Sequence, residues 1–252
     1  SGGGSGHEPA HGGYVGEGML DAAVAGAVFT SPTPDQIYEA IKAVATDAGV
    51  LCIVKNYTGD IMNFEMAIDM AKDEDIKADY VVVNDDVAVK DSLYTTGRRG
   101  VAGTVLVHKI AGALAETGAS LEEVKAVAEK VIANVRTMGM AITACTMPAA
   151  GKPGFELGED EMEIGIGIHG EPGTSREPLR SANSIAQELL DRIVEDIDYT
   201  GKEVAVIING MGGTPLMELY IVNNFVADFL LRLDDELKKL YDAKADTPAL
   251  KK

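Results

Sequence analysis

The sequence predicts an α/β protein built from two α/β domains, each a mixed sheet flanked by helices. Three observations carry this expectation. Capped, amphipathic segments alternate with short apolar runs, the pattern of sheets covered by helices. The runs at 50–54 (Val-Leu-Cys-Ile-Val) and 80–83 (Tyr-Val-Val-Val) have no polar alternation, as strands buried on both faces require. After Gly139 the texture shifts to small residues before the alternation resumes, which divides the chain into 1–137 and 138–252.

Each element has a local cause. Thr33-Pro-Asp-Gln36 supplies a cap, a proline at the first helical position and a glutamine three residues after the cap; Ile37, Ile41 and Val44 then share a face until Gly49. The apolar run 50–54 ends at Lys55-Asn-Tyr-Thr-Gly-Asp60, ahead of another helical stretch. The second such unit comprises 80–83, the acidic Asn84-Asp-Asp86 and a helix over 101–114. Ser120-Leu-Glu-Glu123 is a capping box whose helix buries Leu121, Val124, Val127, Val131 and Val135. Farther on, 162–168 alternates like a half-buried strand, 181–196 reads as a helix and 204–208 as a strand. The glycine-rich stretch 209–213 precedes an apolar helix.

With 252 residues, 46% of them apolar, the chain can bury a substantial core. Forty acidic against 22 basic side chains leave a net charge of −18, which repels phosphate backbones and anionic lipid and argues against nucleic acid or membrane partners. Cys52 and Cys145 lie in apolar or small-residue contexts and read as core thiols of a reducing, cytoplasmic compartment. No secretory signal or spanning apolar stretch is present in the sequence. Ser1 opens inside a glycine run that reads as a loop, so further residues are expected before it.

His7 and His11 satisfy H-E-x-x-H literally, but Pro9 between them and Gly12-Gly13 after them disfavour the continuous helix that a zinc pair needs, and no metal site is assigned. The Walker pattern fails because Lys152 is followed by Pro153, so no nucleotide cradle is expected. Ser1-Gly-Gly-Gly-Ser-Gly6 offers backbone N–H groups for close approach to a polar ligand. Asp60 follows a strand, where α/β sheets place ligand groups, and is read either as such a group or as a helix cap; Lys55 is read either as a ligand contact or as a surface amine. Asn84-Asp85-Asp86 reads first as a solvated acidic turn and Arg98-Arg99 as a solvated pair. The strand 162–168 delivers His169 to a glycine-flanked end, a position for function rather than packing.

These residues fall within longer motifs. Gly4-Ser-Gly-His-Glu-Pro, Phe29-Thr-Ser-Pro-Thr-Pro34, Lys55-Asn-Tyr-Thr-Gly-Asp60, Asp85-Asp-Val-Ala-Val-Lys-Asp91, Gly97-Arg-Arg-Gly100 and Gly167-Ile-His-Gly-Glu-Pro-Gly173 resemble, in order, the dihydroxyacetone-binding K subunits of dihydroxyacetone kinases. The resemblance implies a homodimer and a pocket in which His169 adds to the ketone as a hemiaminal. It implies that Gly4, Ser5, Gly6 and His7 line the substrate, that Lys55 and Asp60 contact it, and that His7 and Asp60 serve the reacting hydroxyl. It also implies that no cofactor belongs to this chain: ADP or ATP with magnesium sits on a nucleotide-binding L subunit, recharged by a phosphotransferase-system phosphocarrier. Two other members of that family fit the same motifs, a non-catalytic sensor or coactivator that binds dihydroxyacetone and a fragment of a single-chain ATP-dependent kinase. Against the family pattern, a strand is expected before Ser1 and a segment is expected to be missing near 229–230.

Overall fold

The computed structural model describes residues 1–90 and 96–233. In chain order the elements are β1 (Gly2–Ser5), β2 (Val24–Val28), α1 (Pro34–Val44), β3 (Val50–Lys55), α2 (Thr58–Asp73), β4 (Ala78–Val83), α3 (Thr104–Ala115), α4 (Leu121–Asn134), β5 (Met140–Ala141), β6 (Thr146–Met147), β7 (Lys152–Pro153), β8 (Glu161–Ile164), β9 (Ser175–Pro178), α5 (Ala182–Asp196) and α6 (Leu216–Leu233). Strands β1 and β2 pair in parallel, as do β3 and β4. Strands β5, β8 and β9 form an antiparallel sheet, and β6 and β7 a hairpin. The α/β class therefore holds, and none of the described helices is long and apolar enough to cross a membrane.

The two unpunctuated apolar runs are the parallel pair β3 and β4, and both of their faces are covered. Cys52 and Val54 point into a core with Ile37 and Ile41 of α1 and Phe64, Ala67, Ile68 and Ala71 of α2. Ile53, Val81 and Val83 point the other way, against Val107 and Ala111 of α3 and Val124 and Ala128 of α4. Each such aliphatic side chain contributes about 1.5–3 kcal/mol by leaving water. The caps act as expected: Gln36 Oε1 accepts from the Thr33 backbone N–H at 3.0 Å and Glu123 Oε2 from that of Ser120 at 2.9 Å.

Residues 2–5 are not an open loop. They form a buried strand, and glycine is what lets it fit: a Cβ on Gly4 would lie 2.7 Å from Phe29 Cα, and one on Gly26 would lie 2.7 Å from Pro32 N.

The chain divides into compact units at Ser1–Pro178 and Leu179–Lys252, later than the boundary at 137/138 that the texture suggested. Residues 138–178 are tied to the first unit by hydrogen bonds. Arg99 Nη2 donates to Gly165 O at 2.9 Å and to Ile166 O at 3.4 Å. In the second unit α5 packs on α6, burying Ala186, Val226 and Phe229. Helix α6 runs unbroken through 229–230, the place expected to mark a missing segment. The expected strand 204–208 pairs with nothing among the described residues; Val204, Val206 and Ile207 are exposed, because no neighbouring strand offers a ladder.

Three other expectations are corrected. Cys145 is exposed, unlike buried Cys52, and both thiols are free. Asp85 and Asp86 are not a solvated turn, since they are 0% and 2% exposed. Arg99 is not a solvated cation: at 2% exposure it is bound to Asp86 Oδ2 through Nε at 2.7 Å. Asp85 staples the start of α3, its carboxylate accepting from Val101 N at 2.7 Å, Gly103 N at 2.9 Å and Thr137 Oγ1 at 2.8 Å. Asp85→Ala leaves these donors without their charged acceptor and is expected to lower the unfolding free energy by about 3 kcal/mol or more, read as a lower urea midpoint with an unchanged slope.

Candidate functional site

Four chain segments of the first unit converge at the carboxyl ends of β1 and β3. Strand β1 hands over to Gly6 and His7, and the turn after β2 carries Phe29. Strand β3 ends in Lys55, followed by Asn56 and Tyr57, and Asp60 stands in the first turn of α2. The fourth segment follows β8. That strand stops at Ile164, earlier than the alternation suggested, because Gly165 turns the chain at φ 78°; His169 is thus delivered by a tight turn rather than by the strand itself.

The His169 ring is enclosed by aromatic groups. Its centroid lies 4.5 Å from Tyr57, 4.9 Å from His7 and 5.7 Å from Phe29, all edge-on, and the His7 and Phe29 rings are 5.0 Å apart. Phe29 holds this place at φ 52°, a left-handed conformation that costs a bulky residue on the order of 1–3 kcal/mol. Gly6, at φ 100°, makes room for the Phe29 ring: a Cβ there would lie 2.7 Å from Phe29 Cε1.

The flanking polar groups are pushed toward their neutral forms. Burial lowers the His7 pKa from 6.5 to about 3, helped by the nearby Lys55 and His169. Burial also lowers Lys55, against the opposing pull of Asp60 and Asp85. Asp60 is raised by burial, against a hydrogen bond from Ser31 and the charges of Lys55 and His169. His7 Nε2, Tyr57 Oη and Asp60 Oδ1 are buried without hydrogen-bond partners among the described residues. Such orphaned polar atoms are the pattern of a site awaiting a small polar ligand.

Six of the candidates named from sequence, Gly4, Gly6, His7, Lys55, Asp60 and His169, therefore fall in or immediately beneath one cluster. The Ser5 hydroxyl is committed to Gly26 O at 2.7 Å. Residues 7–10 form a turn, not the helix that a zinc pair needs, and His11 points away, its Nδ1 3.2 Å from Ser1 Oγ. Among the described residues no group of three or more His, Cys, Asp or Glu could hold a metal ion. The sequence alone does not single out Phe29, Tyr57 or Glu171 as site residues; each lies within a quoted motif, and only Glu171, next to Gly170, also has a glycine neighbour. Lys55 is buried, which excludes the surface-amine reading.

The comparisons agree on family. The Dak1 domain matches residues 1–232, and the chain belongs to that family. It is 62% identical over 240 residues to a Listeria innocua protein described as the dihydroxyacetone-binding subunit DhaK of a PTS-dependent dihydroxyacetone kinase, covering 95% of this chain and 73% of that one. The dihydroxyacetone kinase of C. freundii in complex with AMP-PNP and Mg2+ superposes with a TM-score of 0.83 at 41% identity over 90% of this chain; the chain spans 41% of that longer protein. The dihydroxyacetone kinase operon co-activator DhaQ superposes with a TM-score of 0.85 at 42% identity, over 91% of this chain and 71% of that one.

His7 and His108 share a consequence. Burial lowers His108 as well, from 6.5 to about 3, so between these values the unfolded chain takes up protons that the folded one refuses. Stability is fully present above about pH 6.5 and falls as pH drops toward 3, by at most about 1.4 kcal/mol per pH unit for each histidine. Among the ring contacts, His108 packs on His11 and Tyr14 rather than on His169. His108→Leu is expected to flatten this ramp in urea unfolding measured from pH 4 to about 7.

Proposed function

We propose that this chain binds dihydroxyacetone as a hemiaminal on His169 and presents its terminal hydroxyl for phosphoryl transfer, giving dihydroxyacetone phosphate. The observation that carries the reading is the His169 ring set among His7, Tyr57 and Phe29 with Asp60 and Lys55 nearby. Dihydroxyacetone is small and polar, so hydrogen bonds alone discriminate weakly between it and glycerol, whereas addition of a ring nitrogen to a carbonyl rejects every simple alcohol. Neutral His7 can accept the hydroxyl proton, and Asp60 can share in its removal. Gly4 and Gly6 allow the backbone of 4–7 to approach the ligand closely, with Ser5 and Lys55 completing the wall.

The phosphoryl donor, ADP or ATP with magnesium, belongs in this reading to a nucleotide-binding L subunit recharged by a phosphotransferase-system phosphocarrier, and the chain works as a cytoplasmic homodimer. Support comes from the DhaK subunit of L. innocua, described as PTS-dependent, and from the AMP-PNP and Mg2+ complex of the longer kinase. A second reading is favoured by the likeness to DhaQ: a coactivator that binds the ketone without turning it over. In that case the covalent histidine is kept and turnover is not.

The test is a reconstitution. The purified chain with ATP, magnesium and dihydroxyacetone is expected to give no product until the L subunit and its phosphocarrier are added; turnover by the chain alone overturns the two-subunit reading, and none with the full system favours the coactivator. Labelling the ketone carbon with 13C distinguishes the chemistry. Its NMR signal should move from a carbonyl to a tetrahedral position with the native chain and stay put with His169→Ala. Asp60→Asn should keep that tetrahedral signal while turnover falls by roughly 10²–10⁴-fold.

A further inference from the structure

One group beside His169 has no part in the reading above. Glu171 is 5% exposed, and its Oε2 accepts the His169 backbone N–H at 2.7 Å. Its Oε1 lies 3.8 Å from His169 Nδ1 and has no hydrogen-bond partner among the described residues. Among the described residues the nearest cation is Arg99, whose Nη1 is 3.9 Å from Oε1. Arg99 is committed elsewhere, to Asp86 Oδ2 at 2.6 Å and to Gly165 O at 2.9 Å, so it braces the carboxylate without consuming it. Gly167 completes the support, because a Cβ there would coincide with the Glu171 carboxylate. Burial opposes ionisation of Glu171, yet the proximity of the His169 ring and the backbone N–H groups of His169 and Glu171 hold its carboxyl below the usual range. A charge is thus kept, buried, against one nitrogen of the ring and not the other.

We propose that Glu171 is a positioning residue for the covalent step: its carboxylate holds the ring proton of His169 on Nδ1, leaving the Nε2 lone pair to attack the ketone carbon, and balances the ring's charge once that bond forms. The inference rests on the hemiaminal reading for its consequence, not for the tautomer itself. A neutral imidazole has one N–H and one lone pair, and the partner of one nitrogen decides which is which. In the addition, the Nε2–C bond forms, the carbonyl π bond breaks and its electron pair goes to oxygen, which takes a proton from water. The ring, alkylated on Nε2 and protonated on Nδ1, is then a cation facing the Glu171 carboxylate. Its Nδ1 proton passes through that carboxylate to water, so one proton enters and one leaves and nothing is oxidised. The geometry is that of a carboxylate orienting a catalytic imidazole.

The test uses Glu171→Gln, whose amide is isosteric but uncharged and can donate to Nδ1. In the ligand-free chain, 15N NMR should show His169 protonated on Nδ1 in the native protein and shifted toward Nε2 in the variant, a change that a merely structural role does not produce. With the 13C-labelled ketone, adduct affinity should fall roughly 10- to 100-fold, the size of a charge-assisted hydrogen bond. Glu171→Asp, which keeps the charge, should retain the Nδ1 tautomer and stay within about tenfold of the native affinity, and it carries the test if the glutamine variant does not fold. An unchanged tautomer and native affinity in Glu171→Gln, or loss of the Nδ1 tautomer in a folded Glu171→Asp, overturns the proposal. If the native chain forms no adduct, the hemiaminal reading falls while the tautomer comparison still decides the role of Glu171.

Discussion

A buried guanidinium organises the first unit. Taking Arg99 out of water without partners would cost several kcal/mol, so its burial is tolerable only where Asp86 and the carbonyl of Gly165 meet it together. Asp86 lies just beyond β4 and Gly165 just beyond β8, so a single cation makes two loops distant in sequence into obligate neighbours. His169 lies four residues after Gly165, and its place over the ends of β1 and β3 follows from that anchorage. Asp85, one residue earlier, performs the same service for α3. Asp85 and Asp86 are therefore interior scaffolding, despite a local composition that reads as solvent-facing.

The other determinant is glycine. Parallel pairing of β1 with β2 and of β3 with β4 points strand ends the same way, and side chains at those ends converge without special contacts. The convergence is close enough to matter chemically only because Gly4, Gly6 and Gly26 carry no Cβ. The resulting environment disfavours ions: burial depresses His7 and Lys55 and raises Asp60. Under the proposed reaction a neutral triose suits such an environment and its phosphate ester suits it poorly, a bias toward product release.

How far the sequence could be read depended on whether a feature is local. The helix opened by Thr33 and Gln36, the one opened by Ser120 and Glu123, and the doubly buried β3 and β4 emerge as read, because caps and periodicity act within a few residues. Residues 204–208 have strand-like composition yet no strand, since pairing needs a neighbour that no local pattern supplies. The fate of Asp86 and Arg99 was illegible for the same reason: whether a charge is solvated or buried depends on residues 13 to 66 positions away. Glycine-flanked His169 was readable as exceptional, but its companions Phe29 and Tyr57 look like ordinary core aromatics until the fold places them against its ring.

The conformation of Phe29 sets stability against recognition at one position. Glycine there would relax the backbone at φ 52° and remove the ring that faces both His7 and His169. Under selection for folding alone, position 29 should drift toward glycine or asparagine, which tolerate that region; under selection for the ligand it should stay aromatic. Under the proposed function, the residue kept at this position thus reports whether the ring beside His169 is still in use.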